Sequence, residues 1–177
     1  MPKGEEDIML LSKLFTKKAE PDDSGSASVF MADMEETAAA LEASFVRQYG
    51  WDADDPARKL DSLMLAKFLL DQALVSTFCD KLSRKRLRNL LTVLDMVYEK
   101  LLEKVSPGVE PDAAHLNKFR DYSVMLRENN WPRCWQLIAG ACIGRDLVEE
   151  KPTKEIFPEF LPERFIVVRE RLKEVIK

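Results

Sequence analysis

The sequence predicts an all-α fold: a single bundle of about six helices behind a flexible N-terminal tail. Three observations lead there. From Phe30 onward, apolar residues return every three or four positions, the spacing that lines up one face of a helix. Strand-like alternation is nearly absent. The breaks between periodic stretches are short and carry helix punctuation, as at Gly50, Asp55-Pro56 and Ser106-Pro107-Gly108. At 177 residues, 46% apolar and 33% charged, the chain has the size and mixture of one globular domain with a sizeable core.

The tail comes first, over residues 1–28, with the helical bundle over 29–177. Residues 16–28, TKKAEPDDSGSAS, are small, polar and charged without periodicity, which reads as a linker. Ahead of the linker, Ile8, Leu11, Leu14 and Phe15 fall on one helical face. Two readings stand for them, a short helix that docks in a groove and a frayed terminal segment. The opening stretch MPKGEEDIMLLSKLF has acids where a signal or transit peptide carries bases, so secretion or import by such a signal is not expected.

In the first long helix Met34, Ala38, Leu41, Phe45 and Tyr49 recur at three and four, and Gly50 stops the run as a C′ glycine does. Asp55-Pro56 reads as an N-cap followed by proline at the first helical position. The second helix then carries Leu60, Leu63, Met64, Lys67, Leu70, Leu74 and Phe78. Phe68 and Val75 widen its stripe, so it is expected to pack on more than one neighbour. Ser83 caps a third helix with Leu87, Leu90/Leu91, Leu94, Val97/Tyr98, Leu101 and Val105 on one face. That seam lasts under three heptads, which favours a bundle over an extended coiled coil.

A fourth helix starts at Pro111-Asp112 and carries Leu116, Phe119, Ser123 and Leu126, until Asn129-Asn130 breaks it. The stretch RENNWPRCWQ, residues 127–136, then places Trp131, Pro132 and Trp135 together. A residue before proline is biased away from helical geometry, and Trp135 follows Trp131 by four, so the reading is a hinge stapled by two indoles at a helix start. An aromatic ligand pocket is the competing reading. This fifth helix closes around Gly144, and Pro162 opens a last one with Phe165, Val168, Leu172 and Val175/Ile176.

Catalytic chemistry finds little footing. His115 is the one histidine, and no nucleophile elbow, P-loop or dinucleotide fingerprint accompanies it. Asp112 and His115 form an i,i+3 pair that can reach one metal, but no second pair completes a site; the plainer reading is an N-cap and a first-turn surface residue. No cofactor and no metal are expected. Cys79, Cys134 and Cys142 leave an odd count, which favours free, mostly buried thiols in a reducing compartment. Cys134 and Cys142 share a helical face but stand about 12 Å apart at 1.5 Å per residue, too far for a disulfide.

Charge is uneven. Residues 1–80 carry 8 Lys/Arg against 16 Asp/Glu, and residues 81–177 carry 19 against 15. Within the second half, Lys81, Arg84, Lys85, Arg86 and Arg88 put five cations into eight residues at a helix N-terminus. The macrodipole there prefers anions, so each cation gives up some tenths of a kcal/mol. Either an outside acidic or phosphate-bearing partner compensates that cost, or the acidic half of the same chain does.

The span VLDMVYEKLLEKVSPGVEPDAAHLNKFRDYSVMLRENNW, residues 93–131, resembles the C-terminal helical domain of the steroid receptor RNA activator protein. A helix ending in L-x-x-x-Y-[DE]-K-L, a Ser-Pro turn, a second helix and a break with an aromatic carry the likeness. The same module is similar to the C-terminal domain of the COPII outer-coat protein and to the helical bundle of pre-mRNA-splicing factor 18. The resemblance implies a five- or six-helix adaptor without catalysis.

The expected function is therefore a non-enzymatic helical adaptor or subunit of a larger assembly, of the ribonucleoprotein type, inside the cell in nucleus or cytoplasm. Its partners would be other proteins of a complex, with RNA at the basic cluster, no membrane span and no small-molecule substrate. The alternative is a vesicle-coat or transcriptional-coregulator scaffold without RNA contact.

Overall fold

The computed structural model describes residues 25–108, 131–143 and 157–176, and among them the chain is all-α, with five helices and no strand. They are α1 (Ser26–Tyr49), α2 (Pro56–Phe78), α3 (Arg84–Val105), α4 (Trp131–Ile143) and α5 (Phe160–Val175). The helix expected from Pro111 to Leu126 lies outside the described residues.

The ends of the helices follow from local chemistry. Gly50 closes α1 with φ 67°, the left-handed conformation that costs glycine least, and its N–H bonds the Val46 carbonyl at 3.0 Å. Asp55 caps α2 by accepting the Ala57 N–H at 2.9 Å, with Pro56 at the first helical position. Ser83 caps α3 by accepting the Arg86 N–H at 3.2 Å.

Two starts differ from the sequence reading. The tail was expected to run to residue 28, yet α1 begins at Ser26, and Ser26 and Ala27 are buried. Small side chains look like linker composition, but serine and alanine are also accommodated readily in a helix and leave room for close packing. Pro162 was expected to open the last helix, yet α5 begins at Phe160 and holds Pro162 in its first turn. That position needs no intrahelical N–H, so proline is tolerated there.

α2 is the central element. It packs on α1, α3 and α5, and Ser62 through Ala66 are buried in succession, followed by Phe68, Leu69 and Leu70. A helix buried on nearly every side reads as a wide stripe, which is what its sequence shows. α3 is the opposite case: Leu90, Val93, Leu94, Val97, Tyr98, Leu101 and Leu102 are buried, and its remaining face is polar. α4 turns Cys134, Trp135, Ile138, Ala139 and Cys142 into the core, so the two cysteines do share a buried face. α5 closes the bundle with Leu161, Phe165, Val168 and Leu172, and Phe165 meets Trp135 at 6.0 Å between ring centroids.

One end of the bundle is aromatic. Trp51, in the α1–α2 turn, stacks on Phe45 at 4.2 Å and 12°, and Phe160 meets the same Phe45 ring edge-on at 4.9 Å. The Arg58 guanidinium lies 4.9 Å from the Trp51 ring centroid and donates to the Cys142 carbonyl in the last turn of α4. One side chain of α2 thus satisfies a helix-end acceptor on α4 and covers the aromatic pair.

Candidate functional site

The basic cluster sits where α2 hands over to α3. Past Phe78 the chain makes a turn, with the N–H groups of Lys81 and Leu82 both donating to the Phe78 carbonyl at 3.0 Å. Half-buried Leu82 anchors that turn on the core, and Ser83 then starts α3. The turn leaves Lys81 exposed, and the first turns of α3 leave Arg84, Lys85 and Arg88 exposed. Arg84 and Arg88 are four apart, so their side chains stand one above the other on one face. Arg86 is half-buried. Its position follows from helical phase: Leu90, Val93 and Val97, four, seven and eleven residues on, are all buried. That phase was already present in the sequence and separates Arg86 from its neighbours.

No acid occupies the first turn of α3. Among the described residues, no carboxylate forms an ion pair with Lys81, Arg84, Lys85 or Arg88. Four acids of the first half pair with other cations. Asp33 accepts from Arg171 at 2.9 Å, and Glu36 accepts from both Arg171 and Arg164, the latter at 3.3 Å. Glu35 faces Lys104 at 3.8 Å, and Asp71 pairs with Lys67.

Of the other residues singled out in the sequence, Ile8, Leu11, Leu14 and Phe15 lie outside the described residues, as do Asp112 and His115. Trp131 is the first residue of α4 and Pro132 its second, where a missing N–H costs nothing. Pro132 is exposed and Trp135 is 3% exposed, so the two face opposite ways. Cys134 and Cys142 are buried thiols outside any disulfide, and burial pushes the Cys134 thiol up to about 12, which leaves it protonated and unreactive near neutrality. Among the described residues no three His, Cys, Asp or Glu side chains gather as a metal set, and no helix is long and apolar enough to cross a membrane.

Two polar clusters went unread in the sequence. The first is Lys67 with Asp71 and Asp95, on the α2–α3 seam beneath Tyr98. The second is the clasp between Asp33 and Glu36 of α1 and Arg164 and Arg171 of α5, whose partners are 128 to 138 residues apart. In that clasp Asp33 is buried, and its second carboxylate oxygen has no hydrogen bond among the described residues. Burial lifts its pKa above the ordinary range; the Arg171 guanidinium pulls the other way and does not prevail. Glu36, more exposed, is held low chiefly by its hydrogen bond from Arg171.

A carboxyl raised in the folded state binds its proton more tightly there than in the unfolded chain. Its contribution to stability is therefore lost as pH rises through the raised value. Asp33→Asn keeps an acceptor for Arg171 and drops the charge, while Glu36 is common to both proteins. The melting temperature of the variant minus that of the parent is expected to be more positive at about pH 7 than at about pH 4. The opposite trend would show that the attraction of Arg171 outweighs burial.

No protein-family model matches this chain, and no curated protein or solved structure matches it either.

Proposed function

We propose that the protein is a non-enzymatic helical adaptor, a subunit of a ribonucleoprotein-type assembly that contacts RNA phosphates through Lys81, Arg84, Lys85, Arg86 and Arg88. The observation that carries the reading is the exposed Lys81, Arg84, Lys85 and Arg88 at the start of α3, which form no ion pair among the described residues, while Asp33, Glu35, Glu36 and Asp71 of the first half pair with Arg171, Lys104, Arg164 and Lys67. Cations at a helix N-terminus cost some tenths of a kcal/mol each, and an anionic partner turns that cost into binding. The resemblance of residues 93–131 to helical modules of ribonucleoprotein and coat assemblies points to the same adaptor class. Phosphate contacts of this kind position a partner without reading its sequence.

The test is Arg84→Glu/Arg88→Glu, which reverses two exposed charges on one face and spares half-buried Arg86. Affinity for a single-stranded RNA is expected to fall at least about tenfold, and the slope of log affinity against log salt to flatten by about 1.4, or 0.7 per lost contact. Melting should hold within a few degrees, because exposed substitutions stay within about 0.5 kcal/mol. RNA affinity equal in parent and variant would sink this reading and leave the vesicle-coat or coregulator scaffold without RNA contact.

A further inference from the structure

A groove opens where α1, α2 and α3 meet, at the other end of α3 from the basic cluster. Its apolar lining is Ala38 and exposed Ala39 of α1, Leu63 of α2, and Leu101 and Val105 of α3. Its rim carries Glu35 and Glu42 on one side and Lys59 and Lys104 on the others. Its volume is about 220 Å³. That is below the roughly 300–1,000 Å³ of a small-molecule site, and a groove this small cannot supply the roughly 1,000 Å² that a stable interface with a free protein buries. What it can seat is two or three side chains from one face of a helix.

An occupant that weak must be tethered. We propose that the groove is the seat of this chain's own N-terminal segment, with Leu11, Leu14 and Phe15 laid on its apolar lining and Ile8 at its edge. Chain length permits it. The groove flanks α1 from Glu35 to Glu42, which at 1.5 Å per residue lies about 14 to 24 Å from Ser26. Residues 16–25 connect the segment to α1, and ten residues reach at most about 33–36 Å.

Charge agrees as well. Among the described residues Glu42 and Lys59 have no ion-pair partner, and the segment brings Lys13 together with Glu5, Glu6 and Asp7. A short tether holds its end at an effective concentration in the mM range, so a contact with a Kd of about 0.1 mM is largely made within the chain and hardly at all by a free peptide at micromolar concentration. None of Lys81 to Arg88 lines the groove, so the proposal stands apart from the RNA reading.

Hydrogen–deuterium exchange on the full chain tests it. The amides of residues 8–15 are expected to exchange several-fold more slowly than in a free peptide of residues 1–24, independently of protein concentration. Leu11→Glu/Leu14→Glu should abolish the difference. So should Ala39→Glu, which puts a charge on the groove's lining from an exposed position on α1 that glutamate suits as a helix former. A circular-dichroism melt checks that both variants stay folded. Exchange at the free-peptide rate would overturn the proposal, as would protection that grows with concentration, which marks a second copy. Protection that survives Ala39→Glu would overturn it too, by placing the seat elsewhere.

Discussion

Phe45→Ala is expected to remove about 3–5 kcal/mol of stability, a large share of the roughly 5–15 kcal/mol a domain of this kind holds. Phe45 is fully buried, and Trp51 stacks on its ring at 4.2 Å while Phe160 and Tyr49 approach at 4.9 and 5.8 Å. Truncation therefore deletes the common member of three aromatic contacts and opens a cavity between α1, the α1–α2 turn and α5. Three anchored elements can collapse into that space only in part, which puts the cost at the upper end of the range. Phe45→Leu keeps most of the volume and should cost about 1–1.5 kcal/mol. Denaturant unfolding of the three proteins decides the matter. The midpoint should fall in the order parent, Leu, Ala at a constant slope. A loss below about 1 kcal/mol for the alanine variant would mean that Trp51 and Phe160 pack without it.

That site also shows what the sequence could and could not disclose. Phe45 belongs to an unbroken periodic run, so its burial was legible. Trp51 lies one residue beyond Gly50, outside any period, and only the path of the turn lays it on Phe45. The same contrast runs through the molecule. Gly50, Asp55 and Ser83 end or begin helices by bonds to residues two to four positions away, and such chemistry is written locally. Arg164 and Arg171 find Asp33 and Glu36 across more than a hundred residues, and no local pattern announces that pairing. The basic cluster was visible as composition, while the pairing of Asp33, Glu35, Glu36 and Asp71 with other cations depends on the fold. The groove beside α1 is a property of three helices at once; its alanines, read singly, look like ordinary helix formers.

Lys67 carries the second large effect. In the sequence it interrupts the apolar stripe of α2, and a charge in such a stripe either reaches water or finds partners. It finds partners: its side chain is 16% exposed, its ammonium bonds Asp71 and stands 2.9 Å from Asp95, and the Tyr98 ring lies 5.8 Å away. Burial pulls its pKa down, yet the two carboxylates outweigh burial and leave it above the ordinary lysine value. Asp71 is raised by its own burial, with Lys67 opposing. Lys67→Ala leaves half-buried Asp71 without its cation on the α2–α3 seam and is expected to cost about 3 kcal/mol, the low end for breaking a buried pair because Asp71 and Asp95 both reach solvent. Replacing both partners, as Lys67→Met/Asp71→Leu, removes the stranded charge and should return stability to within about 1 kcal/mol of the parent. The sign with pH is fixed as well. A raised lysine contributes stability that is full below about pH 10.4 and is lost as pH rises through its folded value, so the gap between parent and Lys67→Ala should narrow in alkali. Denaturant midpoints of the parent, single and double variants provide the check. A double variant as unstable as Lys67→Ala would show that the lysine stem's packing against Tyr98, rather than its charge, holds α2 to α3.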